Sequence, residues 1–228
     1  MTSSSFPLSA SGVRTQEDAI VAVAHVIIHK LKRSIYGGFA RDWVVGGGAQ
    51  NGRPVNDIDV ILDDRDDSQA QAQVTALTQH LAPLQFVLTS NTPASGGAVA
   101  NKVRLTHRPT GFGVEVEFTH PARRRQISTS PGVEHSASNL MISTKGLDTF
   151  VKKGPNGRPL LDTATSARHA KDKMFVFYYK PEGRMPQERL RRIFQKGWKC
   201  LNQLPPQLVP NPSQHQPQAQ YNVNWWEY

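Results

Sequence analysis

The chain has 228 residues, enough to bury the core of one substantial domain, and its hydrophobic content of 38% is typical of a water-soluble protein. The single Cys200 excludes an internal disulfide and any metal cage built from several cysteines. The sequence contains no apolar run long enough to span a bilayer, and its first residues lack the pattern of a secretory signal. We therefore expect a cytoplasmic or nuclear protein with no membrane partner.

The net charge of +9 is unevenly distributed along the chain. Residues 1–100 carry 7 Lys and Arg against 9 Asp and Glu, whereas residues 101–200 carry 20 against 8. A basic second half favours a polyanionic partner such as RNA, because Lys and Arg release the counterions of the phosphates. The alternative is a solvated basic surface, and charge alone does not decide between the two.

Helices and strands are predicted to follow one another without strict alternation. After a Ser-rich and disordered N-terminus over residues 1–14, a capped helix begins at Thr15. The stretch SIYGG predicts a short buried strand, FARDWVV a helix, and VNDIDVIL a strand with one apolar face. A helix over residues 68–84 and three strands over 85–120 follow. This order predicts an α+β fold with a mixed sheet flanked by helices.

The second part of the chain is predicted to form a smaller region. We place one domain over residues 15–150, a mostly helical region over 151–204 and a disordered Pro/Gln-rich tail over 205–228. NLMIST and DTFVKKG predict a hairpin, and residues 162–179 are expected to be partly helical. Residues 185–204 predict a helix whose inner face carries Leu190, Ile193, Phe194 and Leu201. The NWWEY stretch in the tail suggests docking to a protein partner.

Asp57 and Asp59 are the first candidates for chemistry. Carboxylates at positions i and i+2 of a strand lie side by side on one face, where they can bind a divalent cation. Such a cation commonly serves phosphoryl or nucleotidyl transfer, with two-metal sites holding the attacking and leaving oxygens. A solvated pair of acids at a strand end is the alternative.

Gly37 and Gly38 lie between the predicted strand and helix just before these aspartates. Without side chains, such residues let backbone N–H groups and the start of a helix approach a phosphate. A tight turn with no ligand is the alternative. Arg41 would follow one helical turn later, where its guanidinium could pair with phosphate, or else form an intrahelical or surface ion pair.

Together, YGGFARDWVVGG and NDIDVIL resemble the head-domain signature of the class II CCA-adding enzymes and bacterial-type poly(A) polymerases. These enzymes belong to the polymerase-β-like nucleotidyltransferase superfamily. Their signature runs G-G-x-x-R-D, then a short apolar helix with Gly, then D-x-D on the next strand. This sequence matches it at Gly37, Gly38, Arg41, Asp42, Gly46, Asp57 and Asp59.

The resemblance implies a nucleotidyltransferase-type sheet followed by a helical neck, and it assigns roles to residues. Asp57 and Asp59 would bind Mg²⁺, or Mn²⁺ instead. Nucleoside triphosphate would bind at Gly37, Gly38, Arg41, Asp42 and Asn139, the last matching the Asn of the family's T-I-N-A-L segment. A third catalytic carboxylate would be Glu115 or Glu117, with Glu117 favoured as a metal ligand because Thr119 follows it. A half-exposed strand bearing acids remains the alternative for both glutamates.

Two departures limit what the resemblance implies. The family's Arg-Arg-Asp-Phe before the Asn segment is replaced by VEHSAS, and the neck spacing E-D-x-x-R-x-x-R is not reproduced in ERLRRIFQKGW. Base selection therefore cannot be assigned. The family's helical body and tail also have no counterpart within 228 residues, so nucleotidyl transfer in general is a better prediction than CCA addition.

The sequence thus predicts transfer of a nucleoside monophosphate from a triphosphate to the 3′-end hydroxyl of RNA. RNA contacts are expected at Arg123, Arg124, Arg125, Arg189, Arg191 and Arg192. Two alternatives stay open: transfer to a protein or small-molecule hydroxyl, and an inactive member of the fold that binds nucleotide or RNA.

Overall fold

The computed structural model describes residues 12–46, 57–62, 67–93, 99–120, 135–153, 159–178 and 191–201. The predicted disordered N-terminus lies almost wholly outside these ranges, and the tail over 205–228 lies entirely outside them.

Helices and strands are mixed along the chain. The helical segments are α1 (Gln16–His25, continued by a π-helical turn Val26–Lys30), a π-helical segment Ala40–Val45, α2 (Asp67–Leu81), α3 (Thr163–Lys171) and a short helix at 191–195. The strands are β1 (Ser34–Tyr36), β2 (Asp57–Ile61), β3 (Phe86–Pro93), β4 (Val99–His107), β5 (Gly113–Thr119), β6 (Leu140–Ser143), β7 (Gly146–Thr149), β8 (Met174–Phe175) and β9 (Lys199–Cys200).

Strands β1 to β7 form one mixed sheet in the order β3-β4-β5-β2-β1-β6-β7. Strands β2 and β5 run parallel, whereas the other neighbouring pairs are antiparallel. Strands β6 and β7 make a hairpin with Ser143 opposite Gly146, and its second strand begins and ends earlier than the predicted DTFVKKG stretch. The α+β prediction is therefore confirmed, because the chain builds a mixed sheet with helices packed against it.

Helix α1 begins with the predicted capping box. The Thr15 hydroxyl accepts from the Asp18 backbone N–H at 3.1 Å, and the Asp18 carboxylate accepts from the Thr15 N–H at 2.9 Å. Both bonds satisfy N–H groups that the first helical turn would otherwise leave without partners.

Helices α1 and α2 cover one face of the sheet. Their apolar residues pack into a first core, which includes Ile20, Val23, Ile27, Val74 and Leu77 from the helices and Ile58, Val60, Val114, Val116 and Phe118 from the strands. Each fully buried side chain of this size stabilises the fold by about 1.5–3 kcal/mol. Because side chains alternate along a strand, the acids between these strand residues point to the opposite face.

A second core lies beside β6 and the π-helical segment. It comprises Ala40, Ala137, Leu140, Ala170, Phe175, Phe177, Ile193 and Trp198. Phe39 packs in the first core and the adjacent Ala40 in the second. The segment that follows the Gly37 turn is therefore fixed from both sides. No helix in the described ranges is long and apolar enough to cross a membrane.

The helix predicted over residues 185–204 is wrong beyond residue 195. Gly197 adopts a left-handed φ of +80°, and its N–H donates to the Phe194 carbonyl at 2.8 Å while the Trp198 N–H donates to Ile193 at 3.3 Å. This pair of bonds is a Schellman ending, which glycine favours. Lys199 and Cys200 then pair in parallel with β8. Within residues 151–204, the described helical residues are Thr163–Lys171 and 191–195, and a mostly helical region stays a prediction.

Candidate functional site

Four carboxylates meet on the sheet face opposite α1 and α2. Strands β2 and β5 pair in parallel with Asp57 opposite Glu115 and Asp59 opposite Glu117. Neighbouring strands lie about 4.8 Å apart, so opposed side chains on one face are within reach of each other. Asp57, Asp59, Glu115 and Glu117 are called the acidic face below. The structure thus brings together the four residues predicted to be catalytic.

The acidic face is open to solvent. Asp57 is exposed and Asp59 half-buried. The side chains of Glu115 and Glu117 retain 36% and 27% of their accessible surface. An ion or a phosphate can therefore reach these carboxylates.

Lys102 of β4 joins the acidic face from the side of β5. Its ammonium lies 2.9 Å from Glu115 Oε2 and 2.9 Å from Glu117 Oε1, and the Arg104 guanidinium lies 3.9 Å from Glu115. The hydrogen bonds to Glu115 and Glu117 raise the pKa of Lys102, so it is a cation at any physiological pH. Among the described residues, no three His, Cys, Asp or Glu form a group that could hold a metal ion.

The Gly37 turn lies directly against the acidic face. Gly37 has a left-handed φ of +72°, and a Cβ at this position would lie 3.1 Å from Asp59 Oδ2. Its N–H donates to the Leu140 carbonyl of β6 at 3.0 Å, so in this conformation that N–H is not available to a phosphate. At Gly38, in contrast, a Cβ would lie 3.8 Å from Arg41 Nη2, an ordinary contact.

Gly37→Ala should destabilise the protein more than Gly111→Ala does. Both glycines have similar positive φ values, +72° and +74°, and Gly111 has no neighbouring atom within 4 Å of the added methyl. Gly111→Ala should therefore lower the free energy of unfolding by about 1 kcal/mol, the cost of the left-handed conformation alone. Gly37→Ala should cost about 2 kcal/mol or more, because its methyl also presses on Asp59. Urea denaturation measures both, and equal losses would contradict the close approach to Asp59.

Arg41 and Asp42 are paired with each other. The Arg41 guanidinium donates to both carboxylate oxygens of Asp42, through Nε to Oδ1 and through Nη2 to Oδ2, the latter at 2.8 Å. It also lies 5.2 Å from the ring centroid of Trp198, within the range of a cation–π contact. Only 11% of the Arg41 side chain is accessible. The ion-pair alternative is thus what the structure contains, and a contact of either residue with nucleotide would require this pair to open.

Asn139 is buried and its side-chain amide is engaged. Its carbonyl oxygen accepts from the Val151 N–H at 2.8 Å, and its amide nitrogen donates to the Val151 carbonyl at 2.9 Å. The same nitrogen lies 3.3 Å from the Tyr178 hydroxyl. These contacts fix the segment after β7 to the start of β6, and the nucleotide-binding role of Asn139 stays a prediction.

Exposed cations gather in the C-terminal part of the described chain. The basic surface consists of the exposed Arg168, Lys171, Arg191, Arg192 and Lys199 together with the half-buried Lys173 and Lys196. Asp172 is the one acid within residues 163–178 and 191–201. Of the six arginines predicted to bind RNA, Arg191 and Arg192 belong to this surface and are exposed, whereas Arg123, Arg124, Arg125 and Arg189 lie outside the described residues.

Lys102 and Trp198 lie at the site although the sequence predicted no role for them. A signal for Lys102 existed, because Lys102 and Arg104 alternate with apolar residues on the strand directly before GVEVEFTH. Joined as a hairpin, these strands place two cations beside two acids. Trp198 lies in a stretch that was predicted to be helical, and this pattern indicates no particular role for its side chain.

No family model matches the chain, and no curated protein matches it significantly. The resemblance to the class II CCA-adding enzymes therefore rests on short motifs such as Gly-Gly and Asp-x-Asp.

Proposed function

We propose that the protein is a metal-dependent nucleotidyltransferase that transfers a nucleoside monophosphate from a triphosphate to the 3′-hydroxyl of RNA. The observation that carries the proposal is the in-register pairing of Asp57 and Asp59 with Glu115 and Glu117, with Gly37 against Asp59. The polymerase-β-like superfamily leads one to expect a strand, a Gly turn, a helix and an Asp-x-Asp strand in this order.

The donor set suits Mg²⁺ or Mn²⁺. The acidic face offers carboxylate oxygens alone, which hard divalent cations prefer. Asp57 and Asp59 would hold the ion, and Glu117 or Glu115 would become a further ligand only after its contact with the Lys102 ammonium opens. When bound, the ion would activate the acceptor hydroxyl and neutralise charge on the phosphates.

The proposed reaction exchanges one phosphorus–oxygen bond for another. The RNA hydroxyl oxygen bonds to the α-phosphorus, the bond to the oxygen bridging the α- and β-phosphates breaks, and pyrophosphate leaves with that oxygen. The hydroxyl proton would pass to a carboxylate of the acidic face, of which Asp57 is the most exposed. Asp59 is half-buried beside Gly37, where the turn limits its movement.

The basic surface supports RNA as the acceptor. Its seven cations with one intervening acid match a phosphate backbone in sign. Trp198 connects this surface to the site, because it lies between Gly197 and Lys199 in the chain and against Arg41 in space. Arg41 in turn follows the Gly37 turn by one helical turn, with its N–H donating to the Gly37 carbonyl at 3.0 Å.

Replacing Arg191 and Arg192 together with Gln should weaken RNA binding and its dependence on salt. For single-stranded RNA, each lost phosphate contact lowers the slope of log affinity against log salt by about 0.7, so the double variant should lose about 1.4. Arg108→Gln is the matched control, because Arg108 is an exposed cation on the turn after β4. If the affinity of the wild type for RNA does not depend on salt, RNA is excluded as the acceptor. A protein or small-molecule hydroxyl then becomes the better candidate.

A second candidate function is binding without catalysis. The Lys102 contacts to both glutamates and the Arg41–Asp42 pair favour it, because both leave the predicted catalytic groups engaged with protein atoms. Such a protein would bind nucleotide or RNA and form no product.

Incubation with each labelled ribonucleoside triphosphate, Mg²⁺ and a short RNA separates the two candidates. Label added to the RNA 3′-end is expected if the proposal is correct. Calorimetric binding of triphosphate without any labelled product would favour the binding module. The absence of both binding and product would exclude both candidates.

A further inference from the structure

Two histidines lie together at the end of the first helix. His25 is the last residue of α1, and His29 lies in the π-helical turn Val26–Lys30 that continues the helix. The centroids of the two rings are 4.5 Å apart, and the rings are tilted by 36°. His29 is exposed and His25 is half-buried, so an ion from solvent can reach them. These two residues are called the histidine pair below.

The π-helical turn explains why the two rings lie so close. The Leu31 N–H donates to the Val26 carbonyl at 3.0 Å, a bond that reaches back five residues where an α-helix reaches back four. The turn is therefore wider than an α-helical turn of about 3.6 residues, and His29 lies more directly above His25. Turns of this kind are rare and occur frequently at functional sites.

The separation of the rings fits two imidazoles that share one metal ion. Metal–nitrogen bonds of about 2.0–2.1 Å, at angles between a right angle and the tetrahedral value, place the two ring centroids roughly 4.5–5.2 Å apart. The observed 4.5 Å lies within this range. Both side chains can therefore bind one ion without movement of the backbone.

The protonation state and the position of the histidine pair favour a metal ion. Burial lowers the pKa of His25, and the neighbouring His29 and Lys30 lower it further. The His25 imidazole is therefore neutral at neutral pH, the form that binds a metal. The pair also lies at the carboxyl end of the helix, where unpaired carbonyls favour a cation. The Lys30 charge opposes a cation, but Lys30 is exposed and its flexible side chain can extend into solvent.

We propose that His25 and His29 bind one transition-metal ion of the class that prefers imidazole, such as Zn²⁺, Ni²⁺ or Cu²⁺. Water completes the coordination, because the described residues offer no group of three ligands. The ion joins the last turn of α1 to the π-helical turn just before β1. This site is separate from the acidic face, because its ligands are nitrogens and α1 packs on the opposite face of the sheet.

Calorimetric titration of the full chain with Ni²⁺, in excess Mg²⁺, tests the proposal. Mg²⁺ binds oxygen ligands and leaves the imidazoles free. Loss of a mere outer-shell partner costs about 10–100-fold in metal affinity, so His29→Gln should weaken Ni²⁺ binding by at least about tenfold. His80→Gln is the matched control, because His80 is an exposed histidine in the last turn of α2, and it should bind Ni²⁺ as the wild type does.

Nuclear magnetic resonance identifies the ligands independently of the affinity. Ni²⁺ is paramagnetic, so the first additions should broaden the ring signals of His25 and His29. Each signal is assigned by its absence from His25→Gln or His29→Gln. Should the half-buried His25 not tolerate substitution, the exposed His29 still provides both an assigned signal and the change in affinity.

Three results would overturn the inference. The first is an equal Ni²⁺ affinity of the wild type and His29→Gln. The second is an equal loss in His29→Gln and His80→Gln, which would indicate scattered binding at surface histidines only. The third is broadening that begins at other histidines. None of these results bears on the proposed nucleotidyl transfer, which labelled RNA product tests by itself.

Discussion

Asp59→Asn is expected to lower nucleotidyl transfer by about 10³-fold while the protein stays folded. Asn has the size of Asp, so the close approach of Gly37 to the side chain is kept. The substitution removes one negative charge from the acidic face opposite Glu117, and with it a metal-binding carboxylate oxygen. Losing one group that stabilises charge in a transition state costs about 10²–10³ in rate, and loss of a metal ligand belongs at the upper end of that range or beyond.

Incorporation of labelled nucleotide into RNA measures this effect, and thermal unfolding checks the fold. Glu17→Gln is the control, because Glu17 is in the first turn of α1, which packs on the opposite face of the sheet. It should retain wild-type activity. Asp59→Asn within tenfold of the wild type would contradict a catalytic role for the acidic face. Equal loss in both variants would indicate a general effect on folding.

The sheet could be predicted well because its signals are local. The alternation of Asp57 and Asp59 with Ile58 and Val60 defines both the strand and its polar face, and the structure keeps that alternation. The pairing of β2 with β5 could not be read from either strand. It joins segments more than fifty residues apart, and the sequence offered Glu115 and Glu117 only as candidates for that partner.

The surroundings of Arg41 could not be predicted for a different reason. Neighbouring residues on an ordinary helix do not face each other, so the sequence gives little reason to pair Arg41 with Asp42. The segment is π-helical, and its cation is stacked on Trp198 from the far end of the described chain. The end of the last helix was missed for a local reason, because a single Gly197 inside an otherwise periodic pattern is a weak signal for a helix end.

Trp198→Ala is expected to lower the free energy of unfolding by about 3–5 kcal/mol. Trp198 is the largest fully buried side chain among the residues that the structure describes. It packs in the second core and covers the Arg41 guanidinium, so its truncation leaves a cavity and exposes the Arg41–Asp42 pair. A loss of this size is a large fraction of the 5–15 kcal/mol that stabilises a typical domain. Urea denaturation measures it, and a loss below about 1 kcal/mol would show that residues 191–201 are not part of the core.

Trp198→Phe tests the contribution of the aromatic ring separately from that of the indole N–H group. Within the part of the chain that the structure describes, the buried Trp198 Nε1–H has no hydrogen-bond acceptor. Phe keeps an aromatic face for Arg41 and removes this unsatisfied donor, which offsets part of the lost packing. We expect a cost below about 2 kcal/mol for Phe, and below about 1 kcal/mol for Leu88→Ala, whose side chain is exposed on β3. If Phe were as costly as Ala, the indole N–H would have to bond a group beyond the described residues, and Trp198 would then anchor part of the chain besides the second core.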